Sequence, residues 1–200
     1  MIRFIGHAKP VAALNAPAFG GKVDTTLKAN SLNTGSLARL GYEAPLKQNM
    51  LNEQSFLQTG WGGFQFAVVL KWQNINQEWH AAWSIASTRE GPDPLQRARE
   101  RVNKALQKGW QPLYIQHAQW WQAFWQQSSI SLPNKTIERQ WYLDTYKFGA
   151  ASRRGAPPIT LQAIWTADTG EIPPWKGDYH HDLNTQLSYW PCYSGNHLQE

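Results

Sequence analysis

The sequence predicts an α+β chain in which strands come first and helices follow. Two patterns predict it: apolar and polar residues alternate in short runs up to about Thr88, and from Gly91 onward apolar residues recur at three-to-four spacing. A third observation, twelve tryptophans in 200 residues, bears on function. Tryptophan is large, amphipathic and costly to expose, and its ring stacks well on the apolar face of a sugar. The same richness also suits a bulky core between helices.

The strands are read in order. Ile2, Phe4 and Gly6 alternate with polar or basic neighbours; Phe64, Phe66, Val68 and Leu70 alternate after Trp61-Gly62-Gly63; Trp79, Ala81, Trp83 and Ile85 form a further run. The stretch from Pro17 to Gln58 is rich in Asn, Gly, Ser and Thr and carries only faint strand signals. A structureless stretch of that length is a poor match to a self-contained small domain, so this half reads as part of a sheet whose partner strands are missing.

Helical signals begin at Gly91-Pro92-Asp93-Pro94, where Asp93 can cap and Pro94 can take the first helical position, and they stop at Gly109. A second helix is expected to open at Pro112 and to bury a face of Leu113, Trp120, Trp121 and Phe124, with His117 between them. The polar link Ser128 to Lys135 precedes a third helix with an inward stripe of Ile137, Trp141, Tyr142, Thr145, Phe148 and Gly149. A long loop, Arg153 to about His181, follows, and loops of that length in compact domains are commonly functional. A fourth helix is expected from near Asp182, with Tyr189 and Trp190 packed in a core, and Pro191 must kink or end it because it lacks a backbone donor.

Composition excludes several classes. The net charge of +5 would permit binding to an acidic polymer. The basic residues are scattered, though: Arg97, Arg99, Arg101, Lys104 and Lys108 share a helix with Glu100, and Arg153-Arg154 is the only other cluster. With no strand-borne aromatic stripe or known motif beside them, nucleic acid is not an expected partner. No apolar run approaches the roughly eighteen residues of a membrane span. The single Cys192 rules out an internal disulfide and a cysteine-rich zinc site. His180, His181 and Asp182 are adjacent, project in different directions and lack further ligand spacing, so no metal site is expected.

Four short stretches occur in sequence: Ile115-Gln116-His117-Ala118-Gln119-Trp120-Trp121, Ala150-Ala151-Ser152-Arg153, Leu161-Gln162-Ala163-Ile164-Trp165, and Asp182-Leu183-Asn184-Thr185-Gln186-Leu187-Ser188-Tyr189-Trp190-Pro191. In that order they resemble glycoside hydrolase family 95, the inverting α-L-fucosidases and related α-L-galactosidases. There a helical stretch Asn-Ile-Asn-x-Gln-Met-Asn-Tyr-Trp-Pro follows a loop opening with Leu-Gln-Gly-Ile-Trp. The resemblance covers about Phe64 to Glu200; Tyr-Trp-Pro by itself would be weak.

The resemblance implies an N-terminal β-sandwich, a helical linker, an (α/α)6 barrel and a C-terminal β domain. On that plan, residues 1–90 would be the last strands of the sandwich, 91–134 the linker, and 135–200 the truncated start of the barrel. It implies a fragment of an inverting exo-glycosidase that removes terminal α-L-fucosyl or related residues from an oligosaccharide or polysaccharide. No cofactor is implied, and the fragment alone would be inactive. A non-catalytic carbohydrate-binding or structural module, or another (α/α)6 glycosidase of different sugar specificity, are the alternatives. The full-length parent would be periplasmic or extracellular, whereas Met1 to Ala8 shows no secretion signal; localisation and oligomeric state stay open.

Inverting hydrolysis needs a general acid and a base that activates water from the opposite face, with carboxyls about 6.5 to 9.5 Å apart. The resemblance places the acid Glu and the catalytic Asp in later barrel segments. It places Asn184 at the second asparagine of the Asn-x-Asn motif, orienting the nucleophilic water; capping the fourth helix is its other reading. Asp182 replaces the first asparagine, and its carboxylate could serve as base or bind a sugar hydroxyl. His180 and His181 would donate to sugar hydroxyls, with Asp178 orienting one of them or standing in solvent. Trp165 and Trp175 would wall the sugar, and Gln162 would bond a hydroxyl. Arg153 would meet substrate or form a structural ion pair.

Overall fold

Two long strands, β4 (Gln65–Ile75) and β5 (Glu78–Ser87), make a hairpin at the centre of the N-terminal part. Asn76 and Gln77 turn the chain with φ of 51° and 67°, the left-handed pair that matches the twist of a two-residue hairpin. β3 (Glu53–Thr59) pairs with β4, β2 (Leu46–Met50) with β3, and β1 (Ile2–Ile5) with the free edge of β5. The result is a five-stranded antiparallel sheet in the order β1-β5-β4-β3-β2. The computed structural model describes residues 1–5, 11–16, 41–161 and 177–199.

β2 and β3 lie in the stretch that carries only faint strand signals. Glu53, Ser55 and Gln58 are buried polar residues of β3, so its polarity disguises a strand that pairing holds in place. Gln58 Nε2 donates to the Glu43 and Thr59 carbonyls at 2.9 and 2.8 Å, and Glu53 accepts from Arg99 Nε at 2.8 Å. Gly6 lies outside the described residues.

One face of the sheet is covered by α1 (Pro94–Lys108). Val69, Ala82 and Ala86 meet Ala98, Val102 and Leu106, all buried; the small alanines on both surfaces let helix and sheet approach closely. Asp93 caps α1 by accepting from Gln96 N at 2.9 Å, Pro94 takes the first turn, and Gly109 ends it at φ 80°. On the other face Phe56 meets Phe66 edge to face, with centroids 5.8 Å apart, while Trp83 and Ile85 stay half exposed at 51% and 59%.

α2 (Trp110–Trp125) starts two residues before Pro112. Pro112 falls in its first turn, where a missing N–H costs no helical bond. Of the expected inward face only Phe124 is fully buried; Leu113, Trp120 and Trp121 are half-buried and His117 is exposed. α3 (Lys135–Ala151) is capped by Asn134, whose Oδ1 accepts from Thr136 N and Ile137 N. Gly149 lies under Phe124, and a Cβ there would sit 2.6 Å from the ring Cζ. Ile137, expected inward, lies in the first turn of α3 and is 57% exposed.

The described residues up to Gln116 form one compact unit and those from His117 form another. No helix among the described residues is long and apolar enough to cross a membrane.

Candidate functional site

The motif region is built by three backbone-directed bonds. Leu161 N donates to the Asp178 carbonyl at 3.0 Å, Tyr179 OH donates to the Pro158 carbonyl at 3.1 Å, and Ile159 N donates to Tyr189 Oη at 2.7 Å. Together they tie the segment leading out of α3 to the run that enters the motif. Along that run side chains alternate. Asp178 and His180 approach within 4.0 Å, while the rings of Tyr179 and His181 lie parallel, inclined by 9° with centroids 6.3 Å apart. Asp178 thus sits beside His180 and not His181.

The chain then reverses in a single residue. Leu183 has φ 77° and ψ −59°, and Asn184 N donates to the Asp182 carbonyl at 3.2 Å. This is a γ-turn of the strained hand, rare for a residue with a side chain and costing on the order of 1–3 kcal/mol. Thr185 N donates to the His180 carbonyl at 2.8 Å, and Leu183 N donates to Gln186 Oε1 at 2.9 Å. The turn brings Asp182 and Asn184 to the two ends of one hydrogen-bonded ring, with His180 tied to its far side. Asp182 and His181 are exposed; His180 and Asn184 are half-buried.

α4 (Asn184–Tyr189) and α5 (Pro191–Ser194) follow. Leu183 occupies the cap position and Asn184 the first helical residue, so Asn184 does not cap this helix. Pro191 ends α4 and opens α5, where its missing N–H needs no partner. Trp190, expected in a core, is 54% exposed, since the break at Pro191 leaves it at the turn between two short helices; Tyr189 is half-buried against the edge of Phe148, centroids 5.9 Å apart.

Gln162, Trp165 and Trp175 lie outside the described residues. Among the described residues Arg153 pairs with no acid; its guanidinium lies 3.6 Å over the Trp120 ring. Among the described residues no group of three or more His, Cys, Asp or Glu is placed to hold a metal ion. A cavity of about 620 Å³ opens between α3 and the α4–α5 pair, lined by Trp141, Phe148, Leu187, Ser188, Ser194 and His197 among others. Asp182 and Asn184 are not among its lining residues. Two residues of this region escaped the sequence reading: Tyr179, which bonds back to Pro158, and Gln186, whose side chain reaches the turn. Gln186 stands within the motif, yet its role depends on the sense of the turn before it.

The model of the glycosyl hydrolase family 95 catalytic domain matches residues 95–200, just over half of the chain. The chain belongs to glycosyl hydrolase family 95. This family 95 chain is 24% identical over 147 residues to Probable alpha-fucosidase A of Aspergillus niger, a stretch that is 62% of this chain and 18% of the fungal protein. It is 25% identical over 130 residues to Alpha-L-fucosidase 2 of Arabidopsis thaliana, covering 52% of this chain and 15% of the plant protein. The chain therefore spans less than a fifth of the length of these curated relatives. The family match takes in α1, α2, α3 and the motif turn.

Proposed function

We propose that this family 95 chain serves an inverting exo-glycoside hydrolase acting on terminal α-L-fucosyl or closely related residues. Residues 1–90 would belong to a β-sandwich, 91–134 to a helical linker and 135–200 to the first helices of an (α/α)6 barrel. The observation that carries the reading is the turn at Leu183, which holds Asp182 and Asn184 one residue apart beside His180. Asn184 then orients the attacking water through its carboxamide, and Asp182 adds a carboxylate that accepts from the water or a sugar hydroxyl. His180 donates to the sugar, with Asp178 beside it. His181, on the side of Tyr179, also donates to the sugar, Trp165 and Trp175 supply the apolar wall, and Gln162 bonds a hydroxyl. The fungal and plant relatives, named as fucosidases, support the substrate class.

The test is turnover by the full-length protein across a panel of aryl glycosides, with the anomer of the first product read by NMR. Release from an α-L-fucoside or α-L-galactoside with inversion is expected, and Asn184→Ala should remove most of it. Sugar binding without turnover of any member would overturn the hydrolase reading in favour of a binding module. A different sugar specificity is favoured by one departure, the carboxylate of Asp182 where the family motif has an amide; preference within the panel decides it.

A further inference from the structure

Leu183 is an awkward residue for the conformation it adopts. At φ 77° its Cβ crowds the backbone, a position that suits glycine. The side chain is 53% exposed, so burial of the leucine does not offset the strain. What holds the turn is hydrogen bonding on both sides of it. The Asp182 carbonyl accepts from Asn184 N across the turn, the His180 carbonyl accepts from Thr185 N, and Gln186 Oε1 accepts from the N–H of Leu183 itself.

The last of these is the only side-chain bond among the three. In a reciprocal helix cap the cap residue's side chain bonds forward while the residue three on bonds back. Leucine has no acceptor, so here only the backward bond exists, and it lands on the strained residue. Without it the Leu183 peptide is free to relax toward negative φ, and relaxation would rotate the peptide planes that carry Asp182 and Asn184 relative to each other.

We propose that Gln186 is a positioning residue: it locks Leu183 in the strained turn and so sets the separation and aim of the Asp182 and Asn184 side chains. The inference rests on the proposed role of those two residues. Gln186 touches neither water nor sugar in this scheme; it acts through the backbone.

The experiment compares Gln186→Met, which keeps side-chain length and helix propensity but has no strong acceptor, with wild type in the full-length protein. Hydrogen exchange at the Leu183 amide should accelerate at least about tenfold as its bond is lost. With an aryl α-L-fucoside, kcat should fall about 10- to 100-fold while KM changes little. Adding Leu183→Gly to Gln186→Met should recover much of kcat, since glycine reaches the turn without strain; a residue that merely stabilised the fold would not be rescued by a glycine. Should Gln186→Met not fold, Gln186→Asn, too short to reach Leu183, makes the same comparison. Unchanged amide exchange, or unchanged kcat in a folded variant, overturns the proposal. If Asn184→Ala leaves turnover intact, the functional reading fails instead, and the exchange measurement still decides whether Gln186 holds the turn.

Discussion

Phe124 and His197 lie face to face, with ring centroids 4.1 Å apart and planes inclined by 14°. His197 Nδ1 sits 3.1 Å from Gln127 Oε1, and a carboxamide oxygen only accepts, so Nδ1 carries the proton. His197 N also donates to the Cys192 carbonyl at 2.9 Å. The turn after α5 is thus fastened to the end of α2 by one ring stack and one side-chain bond.

Phe124 should be the most sensitive position in the helical unit. It is 2% exposed and contacts Trp120, Trp121, Trp125 and His197. Phe124→Ala should cost about 3–5 kcal/mol, the transfer term plus the cavity. Gly149→Ala, adding a methyl where the ring already sits, should cost about 1–3 kcal/mol. Urea unfolding followed by tryptophan fluorescence would show both.

The same contact makes stability depend on pH. Burial pushes the His197 imidazole below its ordinary value of 6.5, so the unfolded chain takes up this proton more readily than the folded one. The contribution of neutral His197 is fully present above about pH 6.5 and is lost as pH falls below it toward the folded value. Melting temperature should therefore drop through that window in wild type, and His197→Phe should flatten this part of the curve.

On the sheet, Arg99 Nε donates to Glu53 Oε1 at 2.8 Å, and the Glu53 side chain is only 7% exposed against 31% for Arg99. Removing the arginine strands a carboxylate in a place water barely reaches. Arg99→Ala should cost about 1–3 kcal/mol, and Arg99→Ala combined with Glu53→Leu less than Arg99→Ala alone. A double-mutant cycle by chemical denaturation measures the difference.

For the proposed chemistry, Asn184→Ala in the full-length protein should lower kcat about 100-fold or more with little effect on melting temperature, because Asn184 does not cap α4. Equal loss of stability and activity would assign it a structural role.

Parts of this architecture are legible without coordinates. Asp93, Pro94 and Gly109 mark α1, and Pro191 sits where α4 ends, because caps and prolines act within one turn of themselves. The alternation in β4 and β5 marks both strands, but its apolar residues, Trp83 and Ile85 among them, lie on the face opposite the one that α1 covers through Val69, Ala82 and Ala86. β3 is hidden by its polar residues, two of which find partners far along the chain: Glu53 accepts from Arg99 and Gln58 donates to the Glu43 carbonyl, 46 and 15 residues away. Ile137 and Trp190 follow the helical period yet stand exposed, since periodicity shows that residues share a face and not what covers it.

The order of strands and helices, the start and stop of α1, and the residues of the Asp182 to Pro191 motif were determined by sequence alone, since each depends on neighbours a few positions away. The tertiary structure decided the rest: the edge pairing of β2 and β3, the stack of Phe124 on His197, the placement of Asp178 against His180, and the left-handed turn at Leu183. These depend on bonds and contacts closed between distant segments, or on a strained conformation that no local propensity of leucine favours and that only the surrounding hydrogen bonds hold.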